Sequence, residues 1–145
     1  MNQPGWKVGV VGLLIALGTI VQPAKSQEPA LSTAEKAVVD RQIATLKGSA
    51  DRHVAEGWSS AKKVAELICR PASLPVLKKQ AKGVDRVFLG TDAPATLTLE
   101  SNQRLTGTGQ FRTPQGWQDF TFTCELNPET GKVTSFQAVS LPAQP

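Results

Sequence analysis

The sequence predicts an α+β domain in which N-terminal helices pack on one face of a four- to five-stranded antiparallel meander, with one disulfide joining the two layers. Apolar residues recur at helical spacing within residues 32–82 and alternate at strand spacing within residues 84–140. Helices followed by hairpin-connected strands are typical of α+β folds. The two cysteines, Cys69 and Cys124, fall one in each part.

A signal peptide is predicted at residues 1–26, which leaves residues 27–145 as a single domain. Lys7 precedes an apolar run of 14 residues, 8–21, and residues 24–26 offer small side chains at both positions that a cleavage site requires. The alternative is an uncleaved membrane anchor, although a bilayer span takes about 20 residues. We therefore expect a periplasmic or secreted protein with no stable membrane span after cleavage.

The charge balance bears on the class of partner. The whole chain has a formal net charge of +4, and the predicted leader carries Lys7, Lys25 and no acidic residue, so the mature chain would carry +2. Such mild basicity differs from the concentrated basic surface that nucleic-acid binding requires. The sequence predicts no nucleic-acid partner, and the partner or ligand is an unknown envelope component.

After a short linker at residues 27–31, a first helix is predicted from a capping box formed by Ser32 and Glu35. Its apolar stripe recurs every three or four residues. The stripe consists of Val39, Ile43, Leu46 and Ala50. Gly48 weakens the helix, so it either ends there or continues, bent, toward Glu56.

A second helix is predicted after a cap at residues 59–60, with an apolar stripe that includes Val64 and Ile68. Pro71 is expected to limit this helix, because the residue before a proline avoids helical dihedrals. Cys69 would then lie in its last turn. A short third helix, capped by Ser73, would follow.

The chain after Gly83 is predicted to form strands joined by turns. The predicted strands cover residues 84–89, 96–99, 105–111, 117–126 and 133–139. In the fourth, large apolar side chains and polar ones alternate, which points Cys124 into the core. Residues 127–131 form a type I turn with glycine at its left-handed position.

Two cysteines in an exported chain predict one disulfide, Cys69–Cys124, because only one intramolecular pairing exists. A redox role is the weaker interpretation, since the pair lacks C-x-x-C spacing. Two cysteines and one histidine also supply too few obvious ligands for a closed zinc site. The sequence predicts neither a cofactor nor a metal ion.

No catalytic residue is assigned, because the motifs of metalloproteases, phosphate loops, dinucleotide sites and nucleophile elbows do not occur in the sequence. His53 is the only histidine and is interpreted as a solvated surface residue. Glu125 and Glu129 form the nearest carboxylate pair for sugar hydrolysis. They flank a predicted turn, so exposure at a hairpin tip explains them more simply.

Three residues are candidates for binding. Trp117 has the opposite parity to Phe120 and should lie on the outer face of its strand, where it either contacts a ligand or packs under a loop. Gly107 and Gly109 leave the inner face of the third strand bare. That gap either forms a ligand groove or admits a helix backbone or the ring of a core aromatic.

Four segments carry a resemblance to a known family. They contain the motifs Cys-Arg-Pro-Ala, Asp-Arg-Val-Phe-Leu-Gly and Gly-Trp followed by Phe-Thr-Cys, and they cover residues 64–72, 85–91, 116–124 and 130–133. Over residues 51–140 the chain resembles a family of small exported bacterial proteins of unknown function. The resemblance implies an exported domain; it implies no activity, cofactor or site residue.

Three functional hypotheses remain open at this point. The first is a non-enzymatic exported domain that binds a partner or envelope component, with Trp117 as contact. The second is a small hydrolase or lyase that acts on envelope glycans with Asp or Glu. The third is an inhibitor of another exported enzyme that uses a rigid protruding loop such as residues 127–131.

Overall fold

The structure, a computed structural model, describes Gly5, residues 27–91 and residues 93–142. The predicted leader lies outside the described residues apart from Gly5. The helices are α1 Thr33–Thr45, α2 Ser49–Glu56, α3 Ser60–Val64, a π-helical segment Ala65–Cys69, and α4 Arg70–Gln80. The strands are β1 Arg86–Leu89, β2 Leu97–Ser101, β3 Arg104–Thr113, β4 Gly116–Asn127 and β5 Lys132–Ser140. The predicted α+β fold is confirmed.

The start of α1 is the predicted capping box. The hydroxyl of Ser32 accepts from the Glu35 amide at 3.1 Å, and the Glu35 carboxylate accepts from the Ser32 amide at 2.8 Å. Val39 and Ile43 are buried on the inner side of the helix. The helix ends at Thr45, and a new helix begins beyond Gly48; of the two alternatives for this segment, termination is therefore confirmed.

The prediction that Pro71 ends a helix is wrong. The π-helical segment follows α3 and leads into α4 without leaving helical dihedrals, and the Arg70 amide donates to the Ala65 carbonyl five residues back. This wider turn interrupts the regular ladder just before Pro71, a residue that has no amide hydrogen to contribute. Ser73 does not cap a separate helix: it is buried inside α4 and its hydroxyl donates to the Arg70 carbonyl at 2.7 Å.

The segment before α1, predicted as a short linker, is tied to the helical layer by hydrogen bonds. The Glu28 carboxylate accepts hydrogen bonds from the amides of Ser60 and Ala61, at 2.8 and 3.3 Å. Ser59 also caps this helix, by accepting from the Lys62 amide. Glu28 therefore satisfies amides that the first turn of a helix leaves without partners.

The antiparallel sheet has five strands, within the predicted four to five, and β3 lies at its centre. It pairs along its whole length with β4, which pairs in turn with β5. On its other side β3 pairs with both β1 and β2, which lie end to end: Leu89 is opposite Gly109 and Leu97 is opposite Gly107. Strands β2 to β5 thus form the meander, and β1 extends one of its edges.

The core lies between the helical layer and the inner face of the sheet. Alternate residues of β4 are buried, as the sequence pattern predicts; these are Phe120, Phe122, Cys124 and Leu126. The predicted disulfide is confirmed: Cys69 and Cys124 are bonded, with their Cα atoms 6.2 Å apart, and both are fully buried. It joins the π-helical segment to the longest strand.

Among the residues that the structure describes, no helix is both long enough and apolar enough to cross a membrane.

Candidate functional site

The alternation along β4 places Trp117 on the face of the sheet opposite the helices. Its Cα partner on β3 is Arg112. The Trp117 side chain is 47% exposed, although large aromatic side chains are usually buried. Trp117 therefore does not pack beneath a loop, which was the alternative for this residue.

Phe88 is the partner of Trp117. Their rings stack with centroids 5.5 Å apart and an interplanar angle of 23°, and Phe88 is 41% exposed. Because β1 and β4 lie on opposite sides of β3, the two rings meet above that strand. The sequence does not distinguish Phe88 from its neighbours, because the run Val87-Phe88-Leu89 is apolar throughout and does not reveal which face each residue occupies.

Arg112 lies beside the aromatic pair and is fixed by Asp85. The Arg112 guanidinium is 5.8 Å from the Trp117 ring centroid, within the range of a cation–π contact. Its Nε and NH2 groups donate to the two Asp85 carboxylate oxygens at 2.9 and 2.6 Å. The hydrogen bonds from Arg112 lower the pKa of Asp85 below its ordinary value, and they raise the pKa of Arg112.

A second arginine adjoins the first. Arg86 is the Cα partner of Arg112 on neighbouring antiparallel strands, so the two side chains emerge on the same face. The charge of Arg86 also contributes to the lowered pKa of Asp85. We call the group formed by Asp85, Arg86, Phe88, Arg112 and Trp117 the Trp117 surface.

A cleft of about 390 Å³ continues from the Trp117 surface toward the helical layer. Asp85 and Arg86 line one side, and Glu66 and Arg70 line the other. The Glu66 carboxylate forms ion pairs with Arg70, at 2.6 Å, and with Lys62, at 3.6 Å. Both carboxylates of the cleft are thus paired with basic side chains.

This pairing bears on the hypothesis of a glycan hydrolase. A general acid for glycoside cleavage needs a raised pKa, so that the carboxyl group is protonated at neutral pH. Arg112 has the opposite effect, because its hydrogen bonds lower the pKa of Asp85. The geometry of this cleft therefore gives the hydrolase hypothesis no support.

The gap predicted at Gly107 and Gly109 is filled from within the protein. A Cβ atom placed on Gly109 would lie 2.5 Å from the Phe88 carbonyl oxygen and 2.7 Å from Cζ of Phe120. One placed on Gly107 would meet the Thr96 carbonyl oxygen and, at 3.1 Å, Cε1 of Phe122. The core aromatics and neighbouring backbone occupy this space, so the interpretation as a ligand groove is not supported.

The remaining candidate residues lie apart from the Trp117 surface. The side chain of His53 is 91% exposed, with Nδ1 3.9 Å from the Glu56 carboxylate. Glu125 forms an ion pair with Arg104 on the adjacent strand at 2.8 Å. Within residues 27–91 and 93–142, no group of three or more His, Cys, Asp or Glu side chains is arranged to hold a metal ion.

The turn between β4 and β5 packs against α1. A Cβ atom on Gly131 would lie 2.8 Å from the Ala34 carbonyl oxygen and 2.9 Å from Cγ2 of Val38. Gly131, with φ of +68°, adopts the left-handed conformation that the turn requires. This contact anchors the turn on the helical layer, so the loop does not give the inhibitor hypothesis the free projection that it invoked.

Comparisons of the chain with models of known protein families, with curated proteins and with solved structures find no match. The resemblance to small exported proteins stays a prediction.

Proposed function

We propose that this protein is an exported, non-enzymatic domain that binds a component of the cell envelope through its Trp117 surface. The observation that carries the proposal is the stacked pair of Phe88 and Trp117, both more than 40% exposed, on the helix-free face of the sheet. Exposed aromatic clusters rimmed by polar side chains are typical of binding sites. Aromatic and arginine side chains also carry much of the energy at interfaces.

The support beneath the surface is rigid, which favours binding. The five side chains lie on β1, β3 and β4 or directly before β1, and β3 is paired with β4 at every one of its residues. Asp85 holds Arg112 by two hydrogen bonds. A surface already ordered before contact loses little conformational entropy on binding, so more of the contact energy becomes affinity.

Export is supported by two separate features. The disulfide Cys69–Cys124 is of a kind that persists in oxidising compartments. The first 26 residues have the basic, apolar and small-residue regions of a signal peptide. We expect the mature protein to begin at Gln27 in the periplasm or outside the cell. N-terminal sequencing after cell fractionation tests this, and a mature chain that begins at Met1 would contradict it.

Binding is tested by coupling the purified protein to a resin and exposing it to envelope extract. We expect Trp117→Ala to reduce recovery of the bound component by about tenfold, since a hot-spot residue contributes more than about 1.4 kcal/mol. Val54→Ala is the matched control, because Val54 is also apolar and exposed but lies on α2. Thermal denaturation should show that both variants remain folded. Equal recovery with Trp117→Ala and wild type would contradict the role of this surface.

A further inference from the structure

The two arginines of the Trp117 surface share a single acidic side chain. Arg86 and Arg112 are opposite one another across β1 and β3, an arrangement that is unfavourable for like charges. Asp85 forms two hydrogen bonds with Arg112. Among the residues that the structure describes, Arg86 makes no ion pair. Arg86 is therefore the guanidinium of this surface that is left to pair with a ligand anion.

Hydrogen-bonding side chains adjoin the rings on the same face. Gln110 is the Cα partner of Phe88 on one side and of Asp119 on the other. The Gln110 side-chain amide donates to the Asp119 carboxylate at 2.7 Å, and both side chains are at the surface. An amide and a carboxylate at this position can bond hydroxyl groups of a ligand, as donor and acceptor respectively.

We infer that the ligand of the Trp117 surface is an acidic saccharide, whose ring packs on Trp117 and whose carboxylate binds Arg86 beside Arg112. This inference rests on the proposed binding function and specifies its ligand. Apolar ring faces, hydroxyl groups and a carboxylate are the three features that such a sugar offers to aromatic, amide and guanidinium side chains. The cleft lined by Arg86 and Arg70 leaves room for a further sugar unit at the sheet edge.

Charge separates this ligand class from two others. A neutral glycan would leave Arg86 without an ion pair and would gain only hydroxyl hydrogen bonds from it. A nucleic acid needs a row of basic side chains along its phosphate backbone, whereas this face offers Arg86 and Arg112 with the acidic Asp85 and Asp119 beside them. A sugar that brings one carboxylate to Arg86 while its ring packs on Trp117 fits this arrangement best.

The test compares acidic and neutral sugar chains. Two acidic probes, a galacturonate hexamer and a hyaluronan hexamer, are titrated into the purified protein by calorimetry, alongside the methyl ester of the first and chitohexaose. We expect at least one acidic probe to bind about tenfold more tightly than its neutral counterpart, a typical effect of one charged hydrogen bond. Raising the salt concentration should weaken that binding.

Two variants test whether Arg86 accounts for the preference for the acidic probe. Arg86→Gln should weaken binding of the acidic probe about tenfold and bring it close to that of the neutral probe. Arg41→Gln is the control, because it removes the same charge from an exposed position on α1. It should change the affinity less than twofold, as expected for a distant surface charge.

Several results would overturn the inference. These are equal affinity for acidic and neutral probes, unchanged affinity in Arg86→Gln, failure of both acidic probes at millimolar concentration, or tighter binding of a thymidine dodecamer. Recovery of an envelope component that is lost in Trp117→Ala but unaffected in Arg86→Gln would retain the proposed function and refute its acidic-sugar ligand. If neither variant loses the component, both the proposed function and its acidic-sugar ligand are refuted.

Discussion

Cys69 at the end of the π-helical segment is bonded to Cys124 in the interior of β4, and both side chains are fully buried. Cys124 lies opposite Leu105 on β3 and Phe136 on β5, so the bond reaches the middle of the sheet rather than an edge. The helical layer is thereby fastened to the strand that also carries Trp117.

Loss of this disulfide should destabilise the protein. The cysteines are 55 residues apart, and the chain-entropy model gives roughly 4 kcal/mol for a loop of this size as an upper limit. We expect the double variant Cys69→Ala, Cys124→Ala to lose about 2–4 kcal/mol of unfolding free energy in urea. Wild type that has been unfolded, reduced and refolded keeps both sulfur atoms but lacks the bond. Comparing it with the double variant separates the effect of the bond from the effect of the missing sulfur atoms. An unchanged midpoint in both would contradict the prediction.

Filling the space at Gly109 should be costly. Gly109→Ala would place a methyl group against the Phe88 carbonyl and the Phe120 ring, and overpacking of this kind costs about 1–3 kcal/mol. Gly57→Ala is the control: its φ is −80° and the nearest atom to a new Cβ is 3.5 Å away. Urea denaturation should show a clear loss for the first and a change within about 0.5 kcal/mol for the second.

The ion pair of Asp85 and Arg112 should make the free energy of unfolding depend on pH in the acidic range. The folded protein holds the pKa of Asp85 below its ordinary value of 3.8, so the unfolded chain takes up this proton more readily. The stabilisation by this ion pair is therefore present above pH 3.8. It is lost as the pH falls through the lower pKa that Asp85 has in the folded protein. Proton titration followed by NMR should give a higher pKa for Asp85 in Arg112→Gln. Coincident titration curves would contradict this.

Glu28→Ala should weaken the start of α3. The change removes the acceptor of the Ser60 and Ala61 amides, and loss of such a cap typically costs about 1 kcal/mol. Glu28→Gln retains a carbonyl oxygen and should lose less. Thermal denaturation compares the two, with Glu56→Gln as a control on another exposed helix position. A glutamine variant less stable than the alanine variant would show that the cap does not act through this oxygen.

The parts of the fold that could be predicted depend on local patterns. The capping box at Ser32 and Glu35 involves residues three apart, and the inward direction of Cys124 follows from alternation within one strand. Both are properties of a short stretch of chain, where side-chain chemistry and backbone geometry determine the result. The helix through Pro71 was missed because a π turn depends on how its flanks pack, which no local pattern reveals.

Within the Trp117 surface, the outward direction of Trp117 could be predicted from the sequence, but its neighbours could not. Phe88 reaches Trp117, and Arg86 reaches Arg112, only because β1 pairs with β3 and not with β2. Strand order and register are set by contacts between distant segments, and one residue of slippage would turn Phe88 inward. The groove proposed at Gly107 and Gly109 is not supported for a similar reason. The rings that fill this space belong to β4, so they too come from another segment of the chain.

The buried disulfide also determines how the molecule would respond to a pulling force. When its two ends are drawn apart, tension passes from the π-helical segment directly into β4, and the 55-residue span between the two half-cystines is excluded from extension. That span corresponds to about 190 Å of stretched chain. In a single-molecule experiment, this length should be released only after a reductant has opened the bond.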